Sequence, residues 1–116
     1  NWPNTKVNIT TNVNLYNADT MPDTEKKFTD MGYEHYWNWT TGVNSVCDYA
    51  PIEYQDWVCD RVKGSKFESA YRDFWKEHEY DEDKWNEFID ETKKLDKFYN
   101  VSLYDYHPEL AKFLNI

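Results

Sequence analysis

The chain has 116 residues, 40% of them apolar and 19% aromatic, and its 22 acidic against 13 basic side chains give a net charge of −9. That length suits one modest core, so 1–116 reads as a single compact domain. The charge opposes binding of bare nucleic acid through its phosphates, and no stretch has the apolar length of a membrane span.

Six Trp, ten Tyr and six Phe mean that rings build much of the core. Rings with polar tips also sit half-buried at surfaces, where they act as docking points. The opening Asn1-Trp2-Pro3-Asn4 fits either a chain matured by signal removal or a trimmed one.

Residues 6–16 alternate with a period of two. Val7, Ile9, Thr11, Val13 and Leu15 fall on one side, and Asn8, Thr10, Asn12, Asn14 and Tyr16 on the other, the pattern of a half-buried strand. A strand must pair its backbone groups, and little else in the chain alternates this cleanly, so pairing with another molecule is expected. Thr20 to Gly32 predicts a short helix, with Pro22 near its start, Gly32 as its stop, and Phe28 and Met31 turned inward.

The next segment, Tyr33-Glu34-His35-Tyr36-Trp37-Asn38-Trp39, is dense in rings. Its odd positions share one face if the segment is extended, which makes it a second, weaker strand candidate. From Pro51 the period becomes helical. Tyr54, Trp57, Val58 and Val62 mark one face, and Ser65-x-x-Glu68 reads as a capping box for a helix presenting Phe67, Ala70, Tyr71, Phe74, Trp75 and His78. A further helix from Asp81 carries Trp85, Phe88, Ile89, Leu95, Phe98 and Tyr99 as an apolar stripe. The joint is short, so an αα-hairpin spanning 65–99 is expected. Val101 to Tyr104 reads as a short strand and the best internal partner for 6–16, and His107-Pro108 opens a final helical turn or two. The fold class is α+β: an N-terminal strand with one or two short partners packed on about three main helices.

Several chemistries are excluded. The three glycines, Gly32, Gly42 and Gly64, are far apart, so no phosphate-cradling loop forms. No nucleophile elbow, paired metal-ligand spacing or cofactor motif occurs. His78 reads as a hydrogen-bonded flank of the core and His107 as a cap before Pro108, while His35, in the ring-rich run, has no companion nucleophile close in sequence, so no catalytic residue, metal or cofactor is assigned. Carboxylates are plentiful, and a small hydrolase built on two of them is the weakest of three readings.

Cys47 and Cys59 lie too far apart for a C-x-x-C motif. Pro51 lets Cys47 fold back beside a helix carrying Cys59, which predicts a disulfide. Three N-x-[ST] sequons, at Asn8, Asn38 and Asn100, point with it towards a secreted or extracellular glycoprotein; free cysteines would favour a cytoplasmic one.

Two features point to a partner. The run Tyr33, His35, Tyr36, Trp37 and Trp39 cannot turn every ring inward if extended. The acids Glu77, Glu79, Asp81, Glu82, Asp83, Glu87, Asp90, Glu91 and Asp96 outnumber Lys84, Lys93 and Lys94 over 77–96. The expected function is a non-enzymatic interaction module or inhibitor. It engages a protein through its rings and the 6–16 strand, which also permits a strand-mediated oligomer. The alternative is an intracellular acidic inhibitor, phage-type, whose 77–96 face masks a basic nucleic-acid-binding groove.

Overall fold

The computed structural model describes residues 6–43 and 45–116; the opening Asn1 to Asn4 lies outside them. The alternating segment forms β1 (Asn8–Val13), and a 3₁₀ turn and α1 (Met21–Asp30) lead to β2 (Glu34–Trp39). The two strands pair in parallel from Asn8 opposite Glu34 to Val13 opposite Trp39. A parallel pair needs a crossover, and the turn plus α1 supply it. After Gly42 the chain runs through α2 (Ile52–Arg61), α3 (Lys66–Lys76), α4 (Glu82–Tyr99), α5 (Leu103–Tyr106) and α6 (Pro108–Leu114).

The α+β class therefore holds, with a correction to the strand partner. Residues 101–104 do not pair with β1. Ser102 Oγ accepts from the Tyr104 amide at 3.1 Å and Asp96 Oδ2 from the Leu103 amide at 2.8 Å. These contacts satisfy the first donors of a helical turn, which becomes α5. The ring-rich run takes the partner's place.

Rings dominate the core, as their number predicts. Tyr54, Phe67, Tyr71 and Phe88 are fully buried with Leu15, Met21, Val58, Leu103 and Leu110. Tyr54 of α2 touches Trp75 of α3 and Trp85 of α4; α3 and α4, joined by residues 77–81, meet through it. The α3 start is capped as expected, with variation: Ser65 Oγ accepts from the Phe67 amide, and Glu68 Oε1 accepts from the Gly64 amide.

Two apolar faces end earlier than their periods predict. Met31 is exposed rather than inward, because α1 stops at Asp30 and Gly32, at φ +86°, swings the chain into β2. Along α4, Phe88 is buried while Leu95, Phe98 and Tyr99 are exposed.

The expected 47–59 disulfide is absent: both cysteines are free and buried. Cys47 sits in a 3₁₀ turn whose carbonyl accepts from Trp75 Nε1 at 2.8 Å, and Cys59 lies on α2. Burial pushes both thiols up, at Cys47 with help from the Asp48 carboxylate. They pack as small apolar groups and stay protonated at neutral pH. In the folded protein both thiols should therefore resist a thiol reagent, and both should label in denaturant. Rapid labelling of Cys47 before unfolding would contradict this packing.

Candidate functional site: the free edge and outer face of the β1–β2 ribbon

The ribbon has an inner and an outer face because its side chains alternate. Ile9, Thr11 and Val13 of β1 and His35, Trp37 and Trp39 of β2 turn inward, while Asn8, Thr10, Asn12, Glu34, Tyr36 and Asn38 are exposed. The ring run is thus divided. Trp37 packs on Phe67 and Tyr71, and Trp39 stacks on Phe74 with centroids 3.8 Å apart. Tyr33 is half-buried. Tyr36, at 52% exposure, is the ring presented outward, and its hydroxyl donates to Glu34 Oε2 at 2.8 Å. Lys6 pairs with the same carboxylate at 2.5 Å.

His35 is held rather than free. Its side chain is fully covered. Nε2 lies 2.7 Å from Thr11 Oγ1, Nδ1 lies 3.4 Å from Glu25 Oε2, and Phe28 stacks on the ring. Lys66 reaches the same Glu25 oxygen at 2.6 Å. The order hydroxyl, imidazole, carboxylate resembles a nucleophile relay, but Thr11 points inward beneath the ribbon, and the set ties β1, β2, α1 and α3 together.

Burial pushes the Glu25 carboxyl up, but Lys66 and His35 outweigh it, so the group sits below its ordinary 4.5. A depressed carboxyl stabilises the fold above its unfolded value, and the contribution vanishes as pH falls through the folded one. Glu25→Gln should therefore cost about 1.5 kcal/mol at pH 7. In urea unfolding the gap to wild type should close below about pH 4; a gap independent of pH would remove the ion pairs as its cause.

The β1 edge is defined by its hydrogen bonds. Thr40 N donates to Val13 O at 2.9 Å, so Val13 faces β2. In an extended strand the backbone groups of successive residues point to opposite sides, so Asn8, Thr10, Asn12 and Asn14 present theirs to the other edge. There the Asn17 carboxamide acts as a short strand: its Nδ2 donates to Asn12 O at 2.9 Å, and its Oδ1 accepts from Asn14 N at 2.8 Å. Among the described residues nothing pairs with the edge groups of Asn8 and Thr10.

The remaining predicted residues are dispersed. Glu77, Glu79, Glu82, Asp83, Glu87 and Asp90 are exposed along α4 and the turn before it, and Glu91 is half-covered. Asp81 caps α4, its Oδ1 accepting from the Lys84 amide at 3.1 Å. Asn8, Asn38 and Asn100 are exposed. The first two share the ribbon's outer face, and Asn100 is the left-handed cap that ends α4. Among the described residues no group of three His, Cys, Asp or Glu side chains is placed to hold a metal, and no helix is long and apolar enough to cross a membrane.

One cluster escaped the sequence reading. Asp19, fully covered, accepts from Arg61 Nε at 2.8 Å and lies 2.9 Å from His107 Nε2. His107 Nδ1 lies 3.8 Å from Glu109, beside a concavity of about 380 Å³ that Tyr16, Thr20 and Tyr106 help to line. Both Asp19 oxygens are engaged, so the carboxylate clamps α2 and the α5–α6 joint to the turn before α1. The pair lies 88 positions apart, and the only hint in sequence is that His107 stands before Pro108. No protein-family model, no curated protein and no solved structure matches the chain.

Proposed function

We propose that the protein is a non-enzymatic interaction module that adds an extended segment of a protein partner to the free edge of β1. The observation that carries this is the Asn17 carboxamide, which already completes the edge at Asn12 and Asn14 and, among the described residues, leaves Asn8 and Thr10 open. Backbone pairing would supply affinity there, and the exposed Tyr36 on the adjoining outer face would supply side-chain selectivity. Trp37 and Trp39 belong to the scaffold beneath, so ring contact passes from them to Tyr36. Secretion with glycans on Asn8 and Asn38 would place sugars on the same outer face, leaving the in-plane edge as the route of approach.

The test is a library of extended peptides panned on the wild-type protein. Thr10→Pro removes an outward N–H without touching the β1–β2 ladder, and Tyr36→Ala removes the ring. Each should weaken selected binders at least tenfold, and the Asn8 and Thr10 amides should gain exchange protection in the complex. Binders indifferent to both changes, with exchange at these amides unaltered, would defeat the reading.

The free cysteines and the exposed acids of 77–90 support a second reading: an intracellular acidic inhibitor covering a basic groove. It requires binding to a basic protein that falls steeply with salt and survives Thr10→Pro.

A further inference from the structure

Beyond the buried Thr92, α4 presents most of its side chains to solvent. Its last two turns expose Lys93, Lys94, Leu95, Lys97, Phe98 and Tyr99, with Phe98 at 78% and Tyr99 at 66% exposure. A large ring so open at a helix end is a docking feature when neighbours extend it, and Phe98 and Tyr99 meet edge to face at 5.0 Å. The first half of the helix is its electrostatic opposite. Residues 82–91 hold Glu82, Asp83, Glu87, Asp90 and Glu91 against Lys84, whereas 92–99 hold Lys93, Lys94 and Lys97 against Asp96. The helix is therefore acidic at one end and basic at the other, over about 27 Å at 1.5 Å per residue.

We propose that two copies of this chain associate through α4 packed antiparallel on itself. An isologous contact needs a surface complementary to its own rotated image, and a bipolar helix has that property. With the two-fold axis level with Thr92, Glu87 and Lys97 of the other copy lie five positions either side of it, and Asp90 and Lys94 two positions. At the periphery Phe98 and Tyr99 of each copy cover the start of the other α4, which Tyr80, itself half-exposed, precedes. Exposed ion pairs contribute little affinity and fix orientation; covering the rings supplies the driving force. The self-association is independent of the β1 edge, since it uses none of its residues.

Sedimentation velocity across a concentration series tests the pairing. The wild-type chain should form a dimer that weakens as salt rises, and Phe98→Ala should raise its dissociation constant at least tenfold. Asp90→Lys alone and Lys94→Glu alone should each weaken self-association, because each places like charges opposite one another. Mixed in equal amounts, the two variants should form a heterodimer, because each altered residue then faces its opposite. All three positions changed are exposed, and unchanged urea midpoints would show that the variants fold. A chain that remains monomeric to about 1 mM, a dimer indifferent to Phe98→Ala, or a variant mixture that fails to pair would overturn the proposal. The first of these outcomes would leave the face to a different protein.

Discussion

Asp19→Asn should destabilise the fold by about 3 kcal/mol, at the low end of the range for breaking a buried ion pair. The carboxylate is fully covered and engages Arg61 and His107 at 2.8 and 2.9 Å. Asparagine keeps the shape but offers one acceptor oxygen, and it turns an NH₂ towards a donor. The Arg61 side chain is a third exposed, so its orphaned charge regains some water, which is why the low end applies. Glu34→Gln is the control. Its partner Lys6 is largely exposed, and loss of such a solvent-screened surface pair should barely move the unfolding midpoint. Urea unfolding of both variants reads the difference directly. Equal midpoints for the two would mean that Asp19 does not clamp the α5–α6 joint. A loss at Asp19 that Arg61→Met largely relieves would identify the unpaired cation as its source.

The parts of the fold that were legible in sequence are those set by local spacing. The two faces of β1, the buried Phe67, Tyr71 and Trp75 of α3, and the Ser65 cap follow from period and capping chemistry. What was not legible depends on pieces distant in sequence. The choice of β2 over 101–104 as strand partner was decided by Asp96, which draws the Leu103 amide into a helical turn. The period of α4 continues to Tyr99, but period alone does not say where the neighbouring elements stop covering it. The free edge of β1 was half-visible: the alternation predicts a strand short of partners, whereas the Asn17 carboxamide that closes part of its edge has no signature beyond a turn-forming Asn. The disulfide expectation was a distance argument. It lacked the indole of Trp75, which holds the Cys47 turn in place through the carbonyl.

Tyr54 is where the largest loss of stability is expected. Its ring is fully buried and meets Trp57, Trp75, Trp85 and Phe113, and its hydroxyl donates to Leu15 O at 2.6 Å. Tyr54→Ala should cost about 4 kcal/mol or more, from lost transfer energy and a residual cavity. Against a total of about 5–15 kcal/mol for a typical domain, that leaves the variant close to unfolding. Tyr54→Phe separates the two contributions. It keeps the ring and leaves the Leu15 carbonyl unpaired, so it should fold and lose about 1–3 kcal/mol. Alkaline pH gives a second readout. Burial holds the Tyr54 phenol well above its ordinary value of 10, with nearby Cys47 and Asp19 adding to the effect. A group raised in the fold stabilises it fully below the unfolded value, and that contribution is lost as pH rises beyond it. Wild-type stability should therefore fall above pH 10, and Tyr54→Phe, which has no proton to lose there, should fall less steeply. Parallel alkaline curves for the two proteins would mean that the hydroxyl reaches solvent, and Leu15 would then need another donor.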